Sequence, residues 1–369
     1  MRPYLLVAAV IIGATTALVG CSTLQHAVEI QSDLDGLTRS GVVGSIATLD
    51  DGTTTAVMTS GVPNRTNGDS IGKNDRVRIG SVTKTFTASL VLQLVAEGKV
   101  DLDAPIEQYL PGLLHSSDMD GSGIDGSAIT VRQLLQHRSG LPEFAGEPGA
   151  DEWIAANENR TLTPSAAVAI ALGKPAQFVP GTSFVYTNTN YIVLGMLVES
   201  VSGRSYADEL RSRILDPLDL EDTYLPPAGE LDIRGDHLTG YQDLDGGLTD
   251  VSRTEPSIPW SAGAMVSTGT DLNTFWRALL DGQVVPAEQL AEMTTPQVAA
   301  TEAEGLGYGM GVGATELPCG VTYTGHSGGI YGYYTLSGAT PDRAFTVTLT
   351  STPKDQPDTV AILSHALCP

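Results

Sequence analysis

Hydrophobic positions along this chain follow two short periods and one unbroken run, and each predicts a different kind of segment. From Leu24 to Leu37 the apolar residues Leu24, Val28, Leu34 and Leu37 recur at near-helical spacing, and from Thr83 to Glu97 Phe86, Leu90, Leu94 and Val95 give a helix with a broad apolar face. Residues 130–140, 164–173, 190–203 and 205–215 read as further helices between Pro- and Gly-rich connections, and Asp358 to Leu367 as a terminal one. Val42 to Met58, turning at Asp50-Asp51-Gly52, reads as a β-hairpin, and Arg76-Val77-Arg78-Ile79 as a short strand. Gly305 to Gly313, Val321 to Thr324, Tyr331 to Ala339 and Ala344 to Ser351 read as strands near the other end. The order predicts an α/β (α+β) fold, an antiparallel sheet flanked by helices and built from both chain ends around an inserted, mostly helical domain. The α/β domain is expected at 41–110 and 257–369, and the helical domain with its loops at 111–256.

The unbroken run, Tyr4 to Val19 after Arg2, is too short for a membrane span and has the layout of an export signal. Leu18-Val19-Gly20-Cys21 resembles the lipobox of bacterial lipoproteins, in which cleavage before the cysteine leaves it lipidated. Residues 1–20 are therefore expected to be a lipoprotein signal peptide and 21–40 the lipid tether and first helix. The protein would be exported and anchored to the outer face of the bacterial cell membrane by lipidated Cys21. A plain secretory signal with an incidental cysteine is the alternative.

Charge and cysteines narrow the classes further. With 43 acidic against 20 basic side chains, a formal charge of −23 disfavours attraction to nucleic acid or anionic lipid, so membrane association is expected through the lipid alone. A chain that is 41% apolar can bury a large core and is not a disordered tail. Once Cys21 is assigned to lipid, Cys319 and Cys368 remain for an oxidising compartment, where an isolated pair is most simply a disulfide; two buried free thiols are the alternative.

A nucleophilic serine needs a base within hydrogen-bond reach. Ser81-Val82-Thr83-Lys84 puts an amine and a hydroxyl on one face of a helix start. Ser70-Ile71-Gly72-Lys73 and Ser351-Thr352-Pro353-Lys354 share the pattern, but Gly72 and Pro353 disfavour a helix there. At a helix start, backbone N–H groups also point towards a developing oxyanion. Two more elements follow in order: Tyr186-Thr187-Asn188, the chain's single Tyr-x-Asn, and His326-Ser327-Gly328, its single His-x-Gly.

Together these resemble the three active-site motifs of the penicillin-recognising serine hydrolases, the class C β-lactamase and DD-peptidase family, and are closest to its exported actinomycete D-alanyl-D-alanine carboxypeptidase/transpeptidase members. The resemblance extends through His137-Arg138-Ser139-Gly140-Leu141, Ser261-Ala262-Gly263-Ala264 and Gly332-Tyr333-Tyr334, and it too implies a Cys319–Cys368 disulfide. It implies that Ser81 forms an acyl-enzyme, that Lys84 holds down the phenol pKa of Tyr186, and that Tyr186 relays protons to the leaving amine and from the incoming water. Asn188 would bind the substrate amide, and His326 and Ser327 would line the opposite strand. Gly328 would let the substrate approach, and the N–H groups of Ser81 and Gly329 would form the oxyanion hole. No cofactor or metal is expected, and the protein is expected to be a monomer acting on a peptidoglycan-type peptide, a β-lactam or an ester.

Three departures bear on the substrate. Where the family's DD-peptidases carry an Arg cluster for the substrate's terminal carboxylate, this chain reads Gly313-Ala314-Thr315; the hydroxyl residue after His-x-Gly is Gly329; and His326 stands where many relatives have Lys. Losing a charge-assisted hydrogen bond forfeits roughly 1.5–3 kcal/mol, so dependence on a terminal carboxylate is expected to be reduced. Alternatives within the fold are a β-lactamase, a broad esterase, and a non-catalytic envelope binding or sensing lipoprotein. Gly325-His326-Ser327-Gly328-Gly329 also matches a nucleophile elbow, which requires a helix after the serine where a strand is expected.

Overall fold

A computed structural model describes residues 15–66, 68–115, 123–244, 246–297, 307–351 and 358–369. The strands are β1 (Gly44–Asp50), β2 (Thr55–Gly61), β3 (Val77–Arg78), β4 (Tyr241–Leu244), β5 (Gly247–Asp250), β6 (Val266–Ser267), β7 (Gly307–Tyr308), β8 (Gly313–Glu316), β9 (Thr322–Ile330), β10 (Tyr333–Ala339) and β11 (Ala344–Leu349). The helices are α1 (Thr15–Arg39), α2 (Thr83–Ala96), α3 (Val131–Leu135), α4 (Glu152–Glu158), α5 (Pro164–Leu172), α6 (Asn188–Ser202), α7 (Tyr206–Leu210), α8 (Trp260–Gly263), α9 (Gly269–Leu280), α10 (Ala287–Thr294) and α11 (Thr359–Leu367).

Seven strands form one antiparallel sheet in the order β2-β1-β11-β10-β9-β8-β7, so the front hairpin joins the C-terminal strands through β1 and β11, with Ile46 opposite Thr348. The alternation in β11 shows why the sheet is covered on both sides. Phe345, Val347 and Leu349 pack with Ile30 and Leu34 of α1 and Leu363 of α11. Thr346, on the other face, donates to Asn273 Oδ1 of α9 at 2.8 Å, while Trp276 Nε1 of α9 donates to Ser337 Oγ at 2.8 Å. Period-two alternation thus selects an apolar layer on one face and a hydrogen-bonded layer on the other.

Helix α2 runs through the middle of the molecule and is buried on nearly every side, from Thr83 to Leu94. Its Phe86 stacks on Phe275 of α9 with ring centroids 3.8 Å apart. Its buried hydroxyls are satisfied: Thr85 donates to Gly311 O at 2.8 Å and Thr87 to Ser261 O at 2.6 Å. A helix enclosed all round gives its first turn a fixed position, and Ser81 sits just before that turn. A disulfide joins Cys319, before β9, to Cys368, after α11, with Cα atoms 5.9 Å apart. Loop closure over 49 residues of separation contributes about 4 kcal/mol in the chain-entropy model.

Several elements differ from the sequence reading. The helix expected over 130–140 ends at Leu135, because His137 takes a left-handed backbone at φ 56°. The last turn of the helix expected to reach 215 widens into a π-turn over Arg211–Leu215. Of the strand expected over 305–313, the described residues place Gly307–Tyr308 in β7 and Gly313 at the start of β8, and Gly309 and Gly311 between them allow close packing: a Cβ at Gly309 would lie 2.1 Å from Met293 O. The stretch 111–256, expected to hold helices and loops, also contains the β4–β5 hairpin, and α4, α9 and α10 were not anticipated. Residues 1–14 lie outside the described residues; the helical backbone at Cys21 is described but its side chain is not. Among the described residues no helix is long and apolar enough to cross a membrane.

Candidate active site

The serine is placed by two glycines. A 3₁₀ turn over Gly80–Val82 links β3 to α2, and Gly80 takes a left-handed φ of 51° that a side chain would strain. Strand β9 passes so close that a Cβ at Gly328 would lie 2.0 Å from Ile79 O and 3.1 Å from Ser81 N, while one at Gly80 would lie 3.0 Å from Gly329 N. The backbone N–H groups of Ser81 and Gly329 are thereby brought to one small region beside the Ser81 hydroxyl.

Lys84, fully buried in the first turn of α2, donates from Nζ to Ser81 Oγ at 2.9 Å, to Asn188 Oδ1 at 2.7 Å and to Ala262 O at 2.8 Å. Three acceptors satisfy an ammonium. A neutral amine fits the same cage, because Asn188 and Ala262 still accept while the amine lone pair takes the Ser81 proton. Burial lowers the Lys84 pKa to about 7, against the opposing attraction of Glu143. Both protonation states are therefore populated near neutrality, in a geometry that requires no rearrangement.

Tyr186 and Asn188 arrive together at the start of α6. Thr187 caps that helix, its hydroxyl accepting from Thr189 N, so the residues on either side of the cap project at the helix mouth. Tyr186 is 37% exposed along the cleft, with its ring centroid 4.9 Å from Lys84 Nζ. Desolvation of its phenol outweighs a hydrogen bond with Ser81, and Glu143 adds to the effect, so the Tyr186 pKa is raised. This differs from the expectation that Lys84 holds it down: burial of the phenol, with Glu143 nearby, dominates its protonation. The phenol is a neutral hydroxyl, suited to donating a proton.

His326, Ser327, Gly328 and Gly329 lie within β9, not at its end, and the chain continues through Tyr331 into β10, so Ser327 is not at a strand-to-helix elbow. His326 Nδ1 donates to Ser327 O at 2.5 Å, which leaves Nε2 to accept from the Tyr308 hydroxyl at 3.1 Å. Burial and the Lys84 charge, opposed by the Ser327 carbonyl, lower its pKa to about 4, so the imidazole is neutral at physiological pH. Its ring centroid is 6.2 Å from that of Tyr186. The structure thus gathers Ser81, Lys84, Tyr186, Asn188, His326, Gly328 and Gly329 around one cleft, flanked by Ser327.

Two participants were missed. Glu143 accepts from Asn188 N at 2.7 Å and from Asn188 Nδ2 at 3.1 Å, which turns the Asn188 carbonyl oxygen towards Lys84. Tyr308, from the short strand β7, completes the aromatic wall behind Tyr186, with centroids 6.2 Å apart and rings at 88°. No local motif marks either residue, since both reach the cleft by long-range packing.

Comparison with known proteins decides the family. The β-lactamase family model matches residues 30–366. The chain belongs to the β-lactamase family. Members of this family are serine hydrolases, among them amidases and penicillin-binding proteins. The chain is 30% identical to penicillin-binding protein 4 of Amycolatopsis lactamdurans over 75% of this chain and 72% of that one. Among solved structures it is similar to a D-stereospecific amidohydrolase from Streptomyces sp., with 36% identity, 93% and 98% coverage of the two chains and a TM-score of 0.84. It is also similar to the D-amino acid amidase of Ochrobactrum anthropi SV3, with 28% identity, 88% and 92% coverage and a TM-score of 0.77. In this β-lactamase-family chain the cleft lies between the buried start of α2, the mouth of α6 and the edge of β9.

Proposed function

We propose that this protein is a serine acyl hydrolase that forms an acyl-Ser81 intermediate on amides and esters of D-amino acids, including cell-wall-type peptides, and depends little on a free terminal carboxylate. The observation that carries the chemistry is the contact between Lys84 Nζ and Ser81 Oγ in a cage that suits both protonation states of the amine. Neutral Lys84 takes the Ser81 proton as Oγ bonds to the carbonyl carbon, and the oxyanion accepts from the N–H groups of Ser81 and Gly329. As the C–N or C–O bond breaks, Tyr186 gives its proton to the leaving group and is reprotonated from Lys84. Water then attacks the ester, its proton passing through Tyr186, and Ser81 recovers a proton as the acid leaves. Asn188, held by Glu143, receives the substrate amide.

The substrate class is supported by the cleft's charge. Lys84 has each of its donors committed, His326 is neutral with Nδ1 turned to its own strand, and Gly313-Ala314-Thr315 holds no cation, so these positions offer a terminal carboxylate no charged partner. The amidohydrolase and amidase similarities agree with this reading. We also propose, from Leu18-Val19-Gly20-Cys21, that the enzyme is exported and held at the membrane by lipid on Cys21. The test of function is hydrolysis of a D-phenylalanine amide, a p-nitrophenyl ester, a D-Ala-D-Ala peptide and nitrocefin side by side, with Ser81→Ala as control. The amide and ester are expected to exceed the peptide in kcat/KM by about tenfold or more, the worth of one missing charge-assisted bond. Faster release of D-alanine from the peptide would contradict the substrate class.

A further inference from the structure

His137 is buried yet plays no part in the chemistry above, and its Nε2 has no hydrogen-bond partner among the described residues. It is also one of few non-glycine residues with a left-handed backbone, where helix α3 stops short. Continuing that helix would commit the His137 carbonyl to an amide four residues on. Instead it accepts from Val185 N at 3.1 Å, while His137 Nδ1 accepts from Thr187 N at 3.2 Å. The two amides flanking Tyr186 are thus both held by one residue. The imidazole also stacks on the Tyr186 ring, with centroids 4.1 Å apart and 30° between planes.

We propose that His137 is the positioning residue of Tyr186: it grips the backbone on both sides of the phenol residue and carries the phenol ring on its own face, so that the hydroxyl stays against Ser81. The inference rests on the reading of Tyr186 as proton relay. Its support is built in. Asn190 Nδ2 lies 3.1 Å from His137 Nδ1, and Ser139 Oγ, donating to Asn190 Oδ1 at 2.6 Å, fixes that amide with its N–H₂ towards the imidazole. Two donors thus face Nδ1, which must remain an acceptor; the proton is left on the partnerless Nε2. Burial, with Lys84 and His326 nearby, keeps the imidazole neutral. A cation there would set an N–H against two donors.

The test is a double-mutant cycle on amide turnover with His137→Phe, His137→Asn and Tyr186→Phe, with folding checked by thermal melting. His137→Phe keeps a ring but loses the acceptor, and is expected to lower kcat about 100-fold, the cost of an ångström-scale misplacement, with KM changed less than about threefold. His137→Asn, which tolerates the left-handed backbone and can accept from Thr187 N, loses the stacked ring and is expected to lower kcat about tenfold; it carries the comparison if the Phe variant does not fold. In a Tyr186→Phe background both losses should shrink to less than about twofold. Wild-type kcat in the His137 variants while Tyr186→Phe is crippled, or a loss that persists undiminished in the Tyr186→Phe background, would overturn the assignment. Full activity of Tyr186→Phe would overturn the reading of the site itself, and this inference with it.

Discussion

Replacing Lys84 by methionine is expected to lower kcat/KM for a D-amino-acid amide by about 10³- to 10⁴-fold, the range supplied by a general base that activates a serine. The effect is large because no other described side chain is shown donating to or accepting from Ser81 Oγ except Tyr186, whose phenol is neutral and a poor base. In the wild type, Lys84 acts in its neutral form. Its pKa is lowered from 10.5 to about 7, so the competent fraction rises as pH passes through about 7 and falls on acidification. A kcat/KM profile should therefore show an ascending limb centred near neutrality. Lys84→Arg keeps a positive charge that cannot be shed and should be as inactive as the methionine variant. Activity in the arginine variant, or a flat profile from pH 5 to 9, would show that Lys84 serves only as a fixed charge.

Gly328→Ala is expected to lower acylation by about 100-fold or more, because one added carbon would lie 2.0 Å from Ile79 O and 3.1 Å from Ser81 N. Both neighbours are backbone and cannot rotate away. Either β9 moves outward, taking the Gly329 N–H with it, or the Gly80–Val82 turn moves and displaces Ser81; each separates the two proposed oxyanion donors. The measurement is the rate of covalent labelling by a fluorophosphonate, beside a melting curve. Labelling within about threefold of wild type in a folded variant would show that this approach does not set the oxyanion geometry.

Much of the frame was legible because local patterns and global packing agree. The alternation of β11 and the apolar spacing of α2 lead to the sheet and the central helix, and Ser81 stands out since Gly72 and Pro353 spoil the rival Ser-x-x-Lys patterns. Strand β9 was cut short because Gly325, Gly328 and Gly329 lack β-propensity; Gly325 and Gly328 are present for close approach, which only the partner surface reveals. Helix α9 carried a readable signal, Thr268 as cap followed by Leu272, Phe275, Trp276 and Leu279 at helical spacing, and was overlooked. Glu143, Tyr308 and the contacts of His137 had no local signal. The direction of the Tyr186 pKa was misread because proximity to a lysine is visible in a motif whereas desolvation is a property of the folded cleft.

The most direct test of the account is the mass of the protein during turnover. Mixed with a slowly released β-lactam or D-amino-acid ester and quenched in acid, the wild type should gain the mass of one acyl group, and digestion should place it on the peptide containing Ser81, with no adduct in Ser81→Ala. Hydrolysis without any such adduct under single-turnover conditions, or an adduct that persists in Ser81→Ala, would contradict it.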